Sequence, residues 1–248
     1  MSYVNYKQEG SIAVITLNRP ERLNAIGTEL LADLDAALSE AINADDVDVL
    51  VLTGSGRAFC AGDDRKELDL SALTEEQAKA HIHSIQKITH HLMGCDKPVI
   101  GAVHGYAVGG GFEWMLNCDM VVAGDDITAF FPEMRLGFFF TGGVTHLLAQ
   151  TLGHQRSMEL LLLGEKQNAH ALLQLGLINR VVPRADMLAT AMQLAQQVAA
   201  LSRPSVARLK SVRNHALGEM LWTAVDQEEH ATIEAFLRPD AQLRATRF

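Results

Sequence analysis

Cysteine is scarce: Cys60, Cys95 and Cys118 are the only three in 248 residues. An odd number without framework spacing excludes a disulfide-stapled scaffold. No CxxC pair or His/Cys cluster has zinc spacing, so no metal is expected. Long hydrophobic runs are lacking too. None approaches the roughly 18 residues that would span a bilayer, so no membrane partner is expected. The opening MSYVNYKQEG shows neither the charged nor the apolar region of a secretory leader. With reduced cysteines, this predicts a cytoplasmic setting. There is no Lys/Arg-rich run, and the formal net charge is −9. The longest basic neighbourhood, Arg203 to Arg213, reads as one face of a helix. A nucleic-acid partner is therefore not expected, and an anionic ligand would have to be held by local donors. The absence of a GxSxG elbow argues against a serine hydrolase. Neither a GK[ST] phosphate loop nor a dinucleotide fingerprint occurs.

What is present suffices for a packed core. Apolar residues make up 48% and charged residues 21%, well mixed, which fits one large folded domain. Val4 to Lys7 and Ile12 to Leu17 alternate around Glu9-Gly10, the pattern of a hairpin. A helix is predicted from Thr28 to Ile42, with Thr28 as its cap. Val47 to Leu52, Val99 to Val103 and Met120 to Ala123 read as buried strands. Thr74 to Met93 reads as a long helix opened by a Thr74/Gln77 capping box. Phe112 is expected to begin another helix. This alternation predicts a mostly parallel sheet with crossover helices. From Thr145 onward the pattern turns nearly all helical, with one short strand within Gly176 to Val182. Residues 1–185 are read as an α/β core, and 186–248 as a helical region that serves as lid or assembly surface. His81, His83, His90 and His91 on the long helix are expected on a solvated or interface face.

The segment Gly105-Tyr-Ala-Val-Gly-Gly-Gly-Phe-Glu113 joins a buried strand to a helix. Glycines at a helix N-terminus leave backbone N–H groups aimed at open space, where the dipole favours negative charge. Alone, the pattern serves equally as a tight packing turn or as a cradle for a developing oxyanion.

The whole run KPVIGAVHGYAVGGGFEWMLNCD, Lys97 to Asp119, resembles the signature of the enoyl-CoA hydratase/isomerase (crotonase) superfamily. Other stretches agree in order and spacing. Ile15 to Ala25 is similar to the family's first hairpin. Ala58 to Asp64 followed by Lys66-Glu67-Leu68 resembles its FxAGxD segment. Phe131-Pro-Glu133 with Leu136-Gly137 resembles PExxLG, and Leu163-Gly164 with Ala171 to Val182 resembles its later motifs. The resemblance covers almost the whole chain. It implies an α/β fold of repeated ββα units with a helical C-terminal region, assembled as a homotrimer or a dimer of trimers. It also implies an acyl-CoA thioester substrate, with no cofactor beyond the coenzyme A that the substrate carries.

By motif position, the backbone N–H groups of Asp63 and Gly110 would hold the thioester oxygen. One such donor is worth roughly 3–4 kcal/mol in related oxyanion holes. Ala61, Asp64, Lys66, Gly109, Phe138, Phe139 and Phe140 would contact substrate or coenzyme. Glu113 and Glu133, twenty residues apart, match the family's hydratase pair. Glu113 would orient and deprotonate water for C3 of a 2-enoyl thioester, and Glu133 would handle the C2 proton. Read without the resemblance, Glu113 offsets a helix dipole and Glu133 is a solvated surface charge. The implied activity is enoyl-CoA hydration. An isomerase or an aryl-propenoyl hydratase–lyase is the alternative within the family. A non-catalytic acyl-CoA-binding scaffold is the alternative outside it.

Three features depart from the family pattern. Asp63 stands where a small or apolar residue is usual, and its carboxylate either crowds an anion or points to solvent. Phe140 and Thr141 replace a Pro-Gly pair in the Gly137–Thr145 loop, whose phenylalanines are either core or the wall of a pocket for a bulky acyl group. Arg238, Arg244 and Arg247 are the candidates to replace a basic helix that reaches the ligand's phosphates in many relatives.

Overall fold

Strand pairing begins with the predicted hairpin. β1 (Val4–Glu9) runs antiparallel to β2 (Ile12–Leu17), with Tyr6 opposite Ile15. The computed structural model describes residues 2–68 and 73–240. α1 (Thr28–Asn43) buries Leu30, Leu31, Leu34, Ala37, Leu38 and Ala41, the stripe its periodicity demands. Thr28 is not its cap. Gly27 holds the cap position, and the Glu67 carboxylate accepts the Thr28 N–H at 2.8 Å from another segment. β3 (Val49–Gly54) is buried at every position, as an interior parallel strand must be. α2 (Glu75–Gly94) starts at the predicted capping box, with both reciprocal bonds formed.

Next come β4 (Val99–Val103), β5 (Tyr106–Val108), α3 (Gly110–Asn117), β6 (Met120–Gly124), β7 (Thr128–Phe130) and α4 (Glu133–Leu136). Thus α3 starts two residues before Phe112, because Gly110 and Gly111 already have helical geometry. α5 (Val144–Leu152), α6 (His154–Leu163), β8 (Gln167–Asn168), α7 (Ala169–Gln174) and β9 (Arg180–Val182) follow. The strand expected within Gly176–Val182 is therefore only its last three residues, since Gly176 turns left-handed (φ 72°) to end α7. α8 (Met187–Ala199) and α9 (Arg203–Leu237) are the last elements among the described residues, with α9 broken at Gly218 (φ 67°).

The main sheet has the order β1-β2-β3-β4-β6-β9 and is parallel beyond the first hairpin. A second sheet has the order β5-β7-β8. Isolated bridges Cys60↔Ala107 and Ile26↔Asp63 extend this second layer towards the chain's first half. Each unit therefore sends one strand to the main sheet and one short extended piece to the second layer before its helix, the repeated ββα pattern.

One face of the main sheet packs on α8 through Ile12, Val14, Val49, Val51, Ile100, Ala102 and Val122 against Met187, Ala191, Leu194 and Ala195. The other face builds the larger core, which includes Phe59, Phe112, Trp114 and Phe131. α9 lies on α2 and α5. It is fastened by Lys210, buried, whose Nζ reaches the Asp119 carboxylate at 2.7 Å and the Leu92 and Lys97 carbonyls. No helix among the described residues is long and apolar enough to cross a membrane.

Candidate active site

The small-residue segment 58–64 passes between the two layers. Ile26 donates to the Gly62 carbonyl and Asp64 donates to the Ile26 carbonyl, both at 2.8 Å. In a parallel bridge of this kind, the residue between those two bonds turns its own N–H the opposite way. The Asp63 N–H thus points away from Ile26 and makes no hydrogen bond among the described residues. Gly110 is the first residue of α3, so its N–H has no helical acceptor. Both residues line one cavity of about 470 Å³.

Two glycines allow this close approach. Gly109 is left-handed (φ 53°), and a Cβ there would strike Glu133 Oε1. A Cβ on Gly110 would come within 2.8 Å of Ile26 Cδ1.

Glu113 and Glu133 line the same cavity. Glu113 lies in the first turn of α3 and is buried. Its Oε1 accepts the Thr141 N–H at 2.9 Å, and its Oε2 accepts the Thr141 hydroxyl. Burial raises its pKa to about 8, opposed by the two Thr141 bonds and reinforced by the charges of Glu228 and Asp63. Glu133 opens α4, and its Oε2 is buried without a hydrogen-bond partner among the described residues. Burial, then the neighbouring Glu113, pushes Glu133 well above the usual carboxylate range. Its reading as a solvated charge is corrected: the chain turn at Pro132 aims it inward, against Gly109.

The remaining predicted residues separate into two groups. Ala61, Gly109, Phe138 and Phe139 line the cavity. Asp64, Lys66 and Phe140 do not. The Asp64 carboxylate is buried in ion pairs with Arg19 at 2.9 Å and Arg22 at 2.7 Å. Burial alone would raise its pKa. The Arg22 hydrogen bond, the Lys66 N–H and the two arginine charges outweigh that and hold it below the usual range. Lys66 is exposed outside the cavity wall, its N–H given to Asp64. Phe140 is core, edge-on to Phe131 at 5.5 Å, while Phe138 packs on Phe236 at 4.8 Å. The Gly137–Thr145 loop thus combines both readings, with Phe140 in the core and Phe138 and Phe139 on the wall. Arg238 donates to the Gly137 carbonyl at 2.8 Å, and Arg244 and Arg247 lie outside the described residues.

Sequence reasoning passed over several residues. Thr141 holds Glu113. Behind it, Asn117 donates to the Gly142 carbonyl and Gln86 accepts the Gly142 N–H. Glu228 on α9 accepts the Gly143 N–H at 2.7 Å and the Thr145 N–H at 2.8 Å. Burial raises its pKa to about 7, against those bonds. Arg65, Arg135 and Lys166 bring positive charge to the cavity wall. Only the departure at Thr141 signalled any of these in the sequence. The bonds of Asn117, Gln86 and Glu228 act across 25 to 85 residues of chain, which no local pattern marks. Of the four histidines, His81 is buried with Nε2 at 3.1 Å from the Asp63 carboxylate. His83 and His90 are exposed and His91 half-buried. Among the described residues, no group of three or more His, Cys, Asp or Glu is placed to hold a metal ion.

Known proteins share this fold and sequence pattern. The family description "Enoyl-CoA hydratase/isomerase" matches residues 7–246. The chain is 31% identical to the short-chain-enoyl-CoA hydratase of Clostridium acetobutylicum, over 100% of this chain and 95% of that protein. It is 32% identical to the mitochondrial enoyl-CoA hydratase of Pongo abelii, over 97% and 82%. A crystal structure of an enoyl-CoA hydratase/isomerase from Mycobacterium paratuberculosis superposes with TM-score 0.92 at 27% identity, covering 100% and 99% of the two chains. With the full-length family match, the shared fold and relatives above 30% identity over nearly the whole chain, the protein belongs to the enoyl-CoA hydratase/isomerase family.

Proposed function

We propose that the chain is an enoyl-CoA hydratase that adds water across the double bond of a 2-enoyl-CoA, with no cofactor beyond the substrate's own coenzyme A. One observation carries the reading. Two carboxyls face one cavity, Glu113 buried and Glu133 half-buried with its Oε2 enclosed, and their supply of donors is unequal. Glu113 has a hydrogen-bond donor on each oxygen, which suits a carboxylate. Glu133 keeps one buried oxygen without a partner, which suits the member that carries and gives a proton. Glu113 takes a proton from water as the oxygen bonds to C3. The π electrons move to the thioester oxygen, where the Asp63 and Gly110 N–H groups stabilise the enolate. Glu133 gives its proton to C2, and proton exchange between the two carboxyls restores the starting state.

Arg65, Arg135 and Lys166 supply the local positive charge that an acidic protein needs to hold the anionic end of an acyl-CoA. Phe138 and Phe139 on the wall favour a second reading, an aryl-propenoyl hydratase–lyase that uses the same pair. Among the described residues, all the exposed large apolar side chains except Tyr106 lie from Met158 onward. That surface supports assembly through the helical C-terminal third as a trimer or a dimer of trimers.

The test is the loss of enoyl-thioester absorbance with crotonyl-CoA and cinnamoyl-CoA for wild type, Glu113→Gln and Glu133→Gln. Each variant is expected to lose at least about a hundredfold in kcat. The preferred substrate decides between the aliphatic and aryl readings. Turnover that survives either substitution would overturn the paired-carboxylate mechanism.

A further inference from the structure

The Asp63 side chain is the least expected feature of the cavity. The residue supplies an N–H for the proposed oxyanion hole and carries a carboxylate on the same Cα. Covalent geometry keeps the carboxyl carbon within about 4 Å of that nitrogen. A negative charge so close opposes the enolate that the N–H is there to stabilise. The charge reaches the rest of the site, since Asp63 helps raise both Glu113 and Glu133.

The carboxylate is not left to the cavity. His81 comes to it from the buried face of α2, with Nε2 at 3.1 Å from Oδ1. A carboxylate only accepts hydrogen bonds, so Nε2 carries the hydrogen. The imidazole is 6% exposed and stacked on Phe236 at 6.4 Å, so its orientation is fixed by packing. The Asp63 side chain, at 30% exposed, is held at the wall and is not itself buried.

We infer that His81 is a positioning residue for the oxyanion hole: its Nε2–H draws the Asp63 carboxylate towards α2 and disperses its charge, which leaves the Asp63 N–H free for the thioester oxygen. The inference rests on the hydratase reading for the identity of that oxygen. It adds a residue that acts through Asp63 and touches neither substrate nor reacting atoms.

Two measurements test it. The first is kcat and KM with crotonyl-CoA for His81→Ala, Asp63→Ala and the double variant. His81→Ala is expected to lose about tenfold or more in kcat, with KM changed less, because the lost interaction is one made to the transition state. In the Asp63→Ala background the same change should cost less than about twofold, since no carboxylate remains to be restrained. His81→Gln keeps an N–H donor and most of the volume, and should recover part of the loss. It also carries the test where circular dichroism shows that His81→Ala melts early.

The second measurement is the ultraviolet absorbance of the enolate of a bound 3-ketoacyl-CoA. The C2 proton lost on forming the enolate passes to the buffer, so at equilibrium the absorbance reads the oxyanion hole and not the rate of either glutamate's proton transfer. The enolate fraction should fall in His81→Ala and return in the double variant. If the glutamate variants retain turnover, the hydratase reading fails while this readout still judges His81. An unchanged enolate fraction in His81→Ala, or a double variant as impaired as His81→Ala, would overturn the inference and reduce the pair to a fastening of α2.

Discussion

At the scale of single residues, Thr141 shows how the site tunes its base. Its N–H and hydroxyl both stabilise the Glu113 carboxylate and oppose the rise caused by burial. Thr141→Val removes the hydroxyl bond and keeps the N–H. The Glu113 pKa, already about 8, then moves further up, because the anion has lost a donor. A base must be ionised to work, so at pH 7 the ionised fraction falls about tenfold for each unit gained. The pH–rate profile of Thr141→Val should shift its acidic limb upward and lose about ten- to a hundredfold in kcat at pH 7, while Thr141→Ser restores both. An unmoved limb would show that the hydroxyl does not act on Glu113. The two glutamates were legible in the sequence because they sit within local motifs, beside glycines or a proline that leave few placements for them. Asp64 and Lys66 stand in a motif just as legible but turn elsewhere: Asp64 faces opposite to its neighbour Asp63 on the extended segment, and Lys66 falls in the turn that follows it. Nothing local indicated that Arg19 and Arg22 would claim the Asp64 carboxylate.

At the scale of elements, the Gly137–Thr145 loop is held from behind by two helices. Thr232 on α9 donates to the Phe140 carbonyl at 2.7 Å, and Gln86 on α2 links the Gly142 N–H to the Val225 carbonyl. Glu228 completes the clamp and acts as a borrowed cap for α5, whose own cap residue, Gly143, has no side chain. Glu228→Gln turns an amide N–H towards backbone donors that need an acceptor, in a buried place. The expected cost is about 2–4 kcal/mol, read as a lower midpoint in urea. Removing that charge also lowers the Glu113 pKa, so the acidic limb should move down, opposite to Thr141→Val. A stable variant with an unshifted limb would show that α9 does not govern the loop. Periodicity announced α1 and α2, which bury a regular stripe over several turns. It missed β5 and β7, three residues each, because so short a strand shows less than two periods of alternation. The break at Gly218 within α9 escaped notice too, since a lone glycine in a helical pattern is compatible with either course.

At the scale of the whole molecule, the same three carboxyls set how stability responds to pH. Glu113 at about 8, Glu228 at about 7 and Glu133 well above the usual range keep protons that an unfolded chain gives up near pH 4.5. Between those values the native state binds more protons than the unfolded state, so stability falls as pH rises. The slope is about 1.4 kcal/mol per pH unit for each extra proton held. Asp64 and Asp35 act with the opposite sign. Their lowered pKa values add stability above the ordinary carboxylate range, and it is lost only as pH falls through their folded values. The two trends together place the stability maximum near pH 5, and the net charge of −9 adds self-repulsion on the alkaline side. Urea unfolding at pH 5, 6.5 and 8 should therefore show a steady decline in midpoint, and Glu133→Gln, which removes one of the protons, should flatten it. A midpoint that rises from pH 5 to 8 would mean the buried pair is ionised in the folded protein, and Glu133 would then lack the proton that hydration asks it to give. The equilibrium experiment thus bears on the mechanism without any substrate, because the burial that destabilises the fold at alkaline pH is the burial that keeps the Glu133 proton in place while Glu113 ionises near pH 8.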